Sequence, residues 1–153
     1  MYDPRQRLIV ALDVSSAAAA QKIVAAVGDS ASCYKVGMQL YTSEGPRVVR
    51  DLVASGRRVF LDLKYHDIPN TVAAAVREAA SLGVSMLTIH ASGGGKMMLA
   101  ATESARGANT ALMVLAVTVL TSLDDNDLDK LGIHGRVHEI GRASCRERVS
   151  NCV

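Results

Sequence analysis

Short apolar, β-rich runs alternate with helical stretches through most of this chain. The runs begin near Leu8, Cys33, Val59, Ser85 and Ala111, at steps of 25 or 26 residues. Ser15 or Ser16 is placed to cap a helix over AAAAQKIVAAV, and Gly28 to stop it. Pro46 sits near the first turn of a second helix that ends before Gly56. Pro69 or Asn70 opens a third over VAAAVREAASL, ended by Gly83. A fourth runs through KMMLAATESA to about Gly107, and a fifth from near Ser122 to before Gly132. This alternation predicts parallel strands joined by helical crossovers. A doubly wound sheet and a (β/α)8 barrel both satisfy it.

The polar positions favour the barrel. In LIVALD, the alternate residues Leu8, Val10 and Leu12 are expected to pack outward on helices, leaving Asp13 inward at the strand end. In CYKVG, Cys33 and Lys35 fall on the inward set, the cysteine as packing. In VFLDLK, Val59, Leu61 and Leu63 face the helices, so Asp62 and Lys64 face in together. His90 closes the fourth strand, and Thr118 and Thr121 the fifth. Barrel enzymes keep their chemistry at the C-terminal ends of their strands. Ordinary loop polarity accounts for any one of these positions. It accounts poorly for an inward Asp, Lys, Asp and Lys on three adjacent strands, because burying such ions costs several kcal/mol each unless they are paired.

The last fifteen residues, EIGRASCRERVSNCV, break the rhythm. Their pattern fits neither a strand nor an amphipathic helix. The run Ile140 to Val149 resembles the conceptual translation of a sequencing-library adapter. Residues 1–138 are therefore read as the structured part and 139–153 as a non-native tail. Two of the three cysteines, Cys145 and Cys152, lie in that tail.

Composition narrows the functional classes. With 49% hydrophobic and 21% charged residues, the 153-residue chain is not disordered. A net charge of +2 argues against nucleic acid or a membrane surface as the main partner. No apolar run reaches the roughly 18 residues a membrane helix needs. The N-terminus lacks the apolar core of a signal peptide. An odd cysteine count fits a reducing cytoplasm better than a disulfide framework.

Chemistry concentrates in Asp62-Leu-Lys64-Tyr-His-Asp67-Ile-Pro-Asn-Thr71. With Lys35 on the neighbouring strand, charges can alternate Lys, Asp, Lys, Asp. Such an array suits substrates that are anionic or become carbanions. Other motifs are weaker. Ser92-Gly-Gly-Gly-Lys96 lacks P-loop spacing and reads as a strand-to-helix turn. Asp124, Asp125, Asp127 and Asp129 lack the glycine and glutamate of a calcium loop and read as an acidic helix start. His66 and His90 read as hydrogen-bonded support at the top of the barrel. His134 and His138 read as surface, and Met97, Met98 and Met113 as core. The five aromatics are too scattered for a base-stacking platform.

DLKYHDIPNT resembles the active-site signature of the orotidine 5′-phosphate decarboxylase family. LIVALDV, YKVGMQLYTSEGP, HASGGGKMM and AVTVLTS resemble that family's other strand-end segments, in its order. The resemblance spans about Arg7 to His138. It implies the first five strand-helix units of a (β/α)8 TIM barrel and decarboxylation of orotidine 5′-phosphate in pyrimidine biosynthesis. It also implies a cytoplasmic homodimer with shared active sites, and no metal or cofactor. Carried over by residue, it implies that Asp13 and Lys35 bind the ribose hydroxyls, with Lys35 also in the charge network. It implies too that Asp62 sits beside the substrate carboxylate and that Lys64 protonates C6. By the same resemblance, Asp67 and Thr71 are expected to reach into the partner subunit's site, and Thr121 to contact the pyrimidine. A complete barrel of this type needs about 200 residues or more. The resemblance puts a phosphate-binding arginine, a closing glutamine loop and glycine-rich phosphate contacts on three further strands, so the chain as written is expected to be inactive, and the two unpaired edges and partly wet inner face of an open five-strand arc are expected to make it poorly soluble. Two other readings remain: a non-catalytic short protein that associates with a partner, and a magnesium-dependent sugar-phosphate decarboxylase or aldolase of the same superfamily.

Overall fold

The structure, a computed structural model, describes residues 8–108 and 111–144, the last four as backbone alone. Met1 to Arg7 and the tail cysteines Cys145 and Cys152 lie outside the described residues.

Helix boundaries follow local chemistry. Strand β1 (Ile9–Ala11) leads to α1 (Ala17–Val27), whose N-cap Ser16 accepts a hydrogen bond from the Ala19 N–H. Glu44 Oε1 accepts from the Ala17 N–H at 2.8 Å, a second cap delivered from across the fold. Strand β2 (Cys33–Gly37) is followed by two helices, α2 (Met38–Glu44) and α3 (Arg47–Ala54). The sequence pattern predicts only the second. Gly45, with φ of 65°, ends α2, and Pro46 starts the next helix directly after it. Strand β3 (Arg58–Tyr65) leads to α4 (Pro69–Ser81), with proline at its first position. Strand β4 (Met86–His90) turns through Ala91–Gly93 into α5 (Gly94–Gly107), so the glycine cluster is a strand-to-helix turn.

Strand β5 (Met113–Val117) precedes α6 (Asp125–Lys130) and α7 (Val137–Ser144). At α6, Asp124 Oδ1 accepts from the Asp127 N–H at 2.9 Å, while Asp127 Oδ2 accepts from the Asp124 N–H at 3.3 Å. Two of the clustered aspartates are thus a capping pair. Helix α7 corrects the expectation of an irregular tail from Glu139 onward. Val137 and Ile140, one turn apart, are both half-buried, and Asp125 Oδ1 accepts from the Val137 N–H at 2.8 Å. Those anchors turn a weak pattern into a helix.

All neighbouring strands are parallel, and their order is β1-β2-β3-β4-β5. Each strand lies beside its successor in the chain, with no reversal of order. A doubly wound sheet requires such a reversal, so the sheet is an arc of a barrel. Its helix-facing side carries the core: Leu12, Tyr34, Val36, Val59, Leu61, Leu87 and Ile89 are fully or almost fully buried, against Leu40, Val49, Val72, Val76 and Met97. Leu8 departs from the expected outward set and is 54% exposed. It lies just ahead of a three-residue edge strand with one neighbour, too little cover to bury it. Below the arc, Arg57 donates to the Gly28 and Ala31 carbonyls and lies over the Tyr34 ring. Cys33 is buried, which raises its thiol pKa, while nearby Arg58 lowers it. No helix among the described residues is long and apolar enough to cross a membrane.

Candidate active site

Four charges alternate across the ends of three adjacent strands. Asp13 follows β1, Lys35 lies on β2, and Asp62 and Lys64 lie on β3. Lys35 Nζ is 2.8 Å from Asp13 Oδ1 and 3.9 Å from Asp62 Oδ2. Lys64 Nζ donates to both Asp62 oxygens at 2.9 Å. Asp62 is therefore the centre of the array, and its side chain is only 15% exposed. Asp13, at 62%, is the solvated end, where an ion pair contributes about 0–1 kcal/mol. A Cβ on Gly37 would lie 3.3 Å from Asp13 Oδ1 and 3.5 Å from Lys35 Nζ, so glycine leaves room for that pair.

Lys64 stands in a left-handed backbone conformation, φ 52°, the one positive-φ non-glycine among the described residues. Such a residue costs about 1–3 kcal/mol and persists where surrounding contacts impose it. The cause is a bulge. Leu61 pairs with Leu87 and Tyr65 pairs with Ile89, so β3 spends three residues where β4 spends one. Strict alternation, which places Asp62 and Lys64 together by period two, ends at Leu61. The two charges still meet because the turned backbone brings the lysine back over Asp62.

Asp67, the last member of the expected Lys-Asp-Lys-Asp series, does not join the other three within one chain. Asp67 is exposed in the loop after β3, where its Oδ1 accepts from the Ile68 N–H at 2.6 Å. The observed series is Asp13, Lys35, Asp62, Lys64. Thr71 is exposed in the first turn of α4, and Thr121 in the turn after β5. None of Asp67, Thr71 and Thr121 bonds to the four charges among the described residues. Thr118 Oγ1 is buried without a partner among those residues.

His66 and His90 pack ring against ring, 5.4 Å apart and tilted by 41°, and the hydrogen bonds expected of them are absent among the described residues. Burial pushes the His90 imidazole below its usual 6.5, and His66 and Lys64 push it further the same way. The unfolded chain therefore binds more protons at that site just below pH 6.5. Stability is unaffected by His90 above that pH and falls as pH drops below it. Replacing His90 with glutamine is expected to flatten this acid limb in urea titrations at pH 5 and pH 7. An unchanged limb would refute the assignment.

Sequence reasoning missed Thr88. Its hydroxyl accepts from the Lys64 N–H and donates to Asp62 Oδ1, both at 2.9 Å. The available signal was a threonine two residues before the strand-end His90, on the same side of β4.

An open cleft of about 550 Å³ lies between the segments that follow β3 and β4, lined by His66, Asp67, Ile68, Pro69, Ser92 and Gly93. Another cavity, of about 330 Å³, lies between α1 and α3 behind the sheet, walled by Ala20, Val24, Val48 and Leu52. It contains none of the four charges.

The model of the orotidine 5′-phosphate decarboxylase / HUMPS family matches residues 6–150. The chain belongs to this family. The orotidine 5′-phosphate decarboxylase of Anaeromyxobacter dehalogenans is 50% identical over 132 residues, covering 86% of this chain and 57% of the relative. That of Nitrosomonas europaea is 51% identical over 133 residues, covering 87% and 56%. The crystal structure of orotidine 5′-phosphate decarboxylase from Lactobacillus acidophilus superposes with a TM-score of 0.80 at 36% identity, covering 88% of this chain and 62% of that one. The chain thus spans little more than half the length of the curated relatives it matches, and its five-stranded arc is part of the decarboxylase barrel.

Proposed function

We propose that the protein built from this segment decarboxylates orotidine 5′-phosphate to uridine 5′-phosphate. The observation that carries the reading is the Lys64 ammonium, gripped by both Asp62 oxygens at a strained backbone position on the barrel's C-terminal rim. Family membership and the names of the relatives support the same chemistry.

In this reading the substrate carboxylate on C6 sits beside Asp62. Breaking the C6–carboxylate bond leaves its electron pair on C6, where resonance offers no good sink. The Lys64 ammonium offsets that density and then gives C6 its proton, and water reprotonates the amine. Ground-state repulsion from Asp62 is the lesser contributor. Asp13 and Lys35 hold the ribose hydroxyls, and Thr121 meets the pyrimidine. Binding energy from the remote phosphate holds the reacting end in place. These steps use side chains alone, without metal or cofactor. Asp67 and Thr71 complete the site of a second subunit. Support for that role is their exposure on one segment with Ile68, which is 66% exposed. A cytoplasmic location goes with the odd cysteine count.

We place the native boundary at about residue 138. The test is to resequence the coding DNA from the Val137 codon and assay the encoded product for carbon dioxide release from orotidine 5′-phosphate. Turnover by that product, and none by the 153-residue chain, is the expected result. Magnesium-dependent turnover of a sugar phosphate instead would support the alternative enzyme. A frame that stops at Val153, with binding to a partner and no turnover, would support the non-catalytic reading.

A further inference from the structure

Thr88 is the one residue of β4 facing the three-residue bulge Asp62-Leu63-Lys64. A regular ladder has no partner there for the Lys64 N–H, which must still be satisfied. The Thr88 hydroxyl takes that role and accepts the N–H at 2.9 Å. A hydroxyl also has one proton to donate. It goes to Asp62 Oδ1, at 2.9 Å. Thr88 is 4% exposed and lies in the middle of a strand with partners on both sides. One buried hydroxyl therefore fixes both the backbone that turns Lys64 and the carboxylate that grips its ammonium.

We propose that Thr88 is a positioning residue for the reaction, acting through Lys64 and Asp62 and touching no substrate atom. The proposal rests on the decarboxylase reading given above. Valine has the same shape without the hydroxyl. Thr88→Val leaves the Lys64 N–H and Asp62 Oδ1 each short of a bond, and the lysine is free to leave its left-handed conformation. Misplacing a reacting group by about 1 Å can cost on the order of 10²-fold in rate. The expected result is a kcat lower by about 10- to 10²-fold.

The test compares wild type, Thr88→Val and Thr88→Ser in the product of the resequenced reading frame. KM and affinity for uridine 5′-phosphate should stay within about threefold, because the ribose-facing Asp13 and Lys35 keep their own pair (a factor of three is under 1 kcal/mol). Thr88→Ser should restore kcat. Amide hydrogen exchange at Lys64 should speed up in Thr88→Val and not in Thr88→Ser. Unchanged kcat in Thr88→Val overturns the proposal. So does a joint collapse of kcat, KM and melting temperature that serine fails to rescue, since that describes a packing residue. If wild type releases no carbon dioxide, the decarboxylase reading fails. Thr88 is then judged on exchange alone, and unchanged exchange at Lys64 overturns it.

Discussion

In the product of the resequenced reading frame, Lys64→Ala is expected to abolish measurable decarboxylation while leaving that protein folded. Two effects are lost together. Removing a preorganised electrostatic partner of the developing charge costs about 10²- to 10³-fold. Removing a positioned proton donor costs about 10²- to 10⁴-fold. The combined loss in kcat should be on the order of 10⁴-fold or more. Folding should survive because the side chain is 26% exposed and Asp62 keeps Thr88 and the more distant Lys35 as partners. Steady-state kinetics beside a urea titration check both halves. A Lys64→Ala protein within tenfold of wild type would remove Lys64 from the chemistry.

Asp62→Ala should show the next largest effect, and its pattern distinguishes two accounts of catalysis. If Asp62 mainly holds the ammonium in place, its loss frees Lys64 Nζ from both 2.9 Å contacts and kcat falls by about 10²- to 10³-fold. If it mainly repels the substrate carboxylate, its loss should tighten substrate binding by a comparable factor and leave product affinity unchanged. We expect the first pattern, with a modest tightening at most. Binding isotherms for orotidine 5′-phosphate and uridine 5′-phosphate, measured with kcat, separate the two. Tightening of substrate alone that matches the fall in kcat would favour repulsion. Stability should fall too. Breaking a fully buried pair costs about 3–5 kcal/mol, and partial exposure of Asp62, Lys35 and Lys64 reduces that to roughly half.

The helix boundaries were largely legible because they are local. Ser16, Gly28 and Pro69 act through bonds and clashes within a few residues, so each marks its boundary without help from the rest of the chain. The same holds for the capping aspartates, where four acids suggest an ion and short-range geometry makes a cap. Helix α2 was missed because nothing before Gly45 announces it. Leu40, buried against the core, holds that short helix in place by tertiary contact. Helix α7 was missed for a related reason, since its start is anchored by Asp125, twelve residues upstream.

The candidate site divides along the same line. Asp13, Lys35, Asp62 and Lys64 could be read from the chain because strand pleating alternates faces, and charges on an inward set stand out from the apolar pattern. The 25- or 26-residue rhythm likewise determined parallel strands and helices in turn. Tertiary structure decided the rest. Strand order separated a barrel arc from a doubly wound sheet, because both share one local pattern and differ only in which strand lies beside which. Pairing of β3 with β4 created the bulge that turns Lys64 and made Thr88 part of the site. Register is a property of two strands together, and neither strand's residues alone contain it.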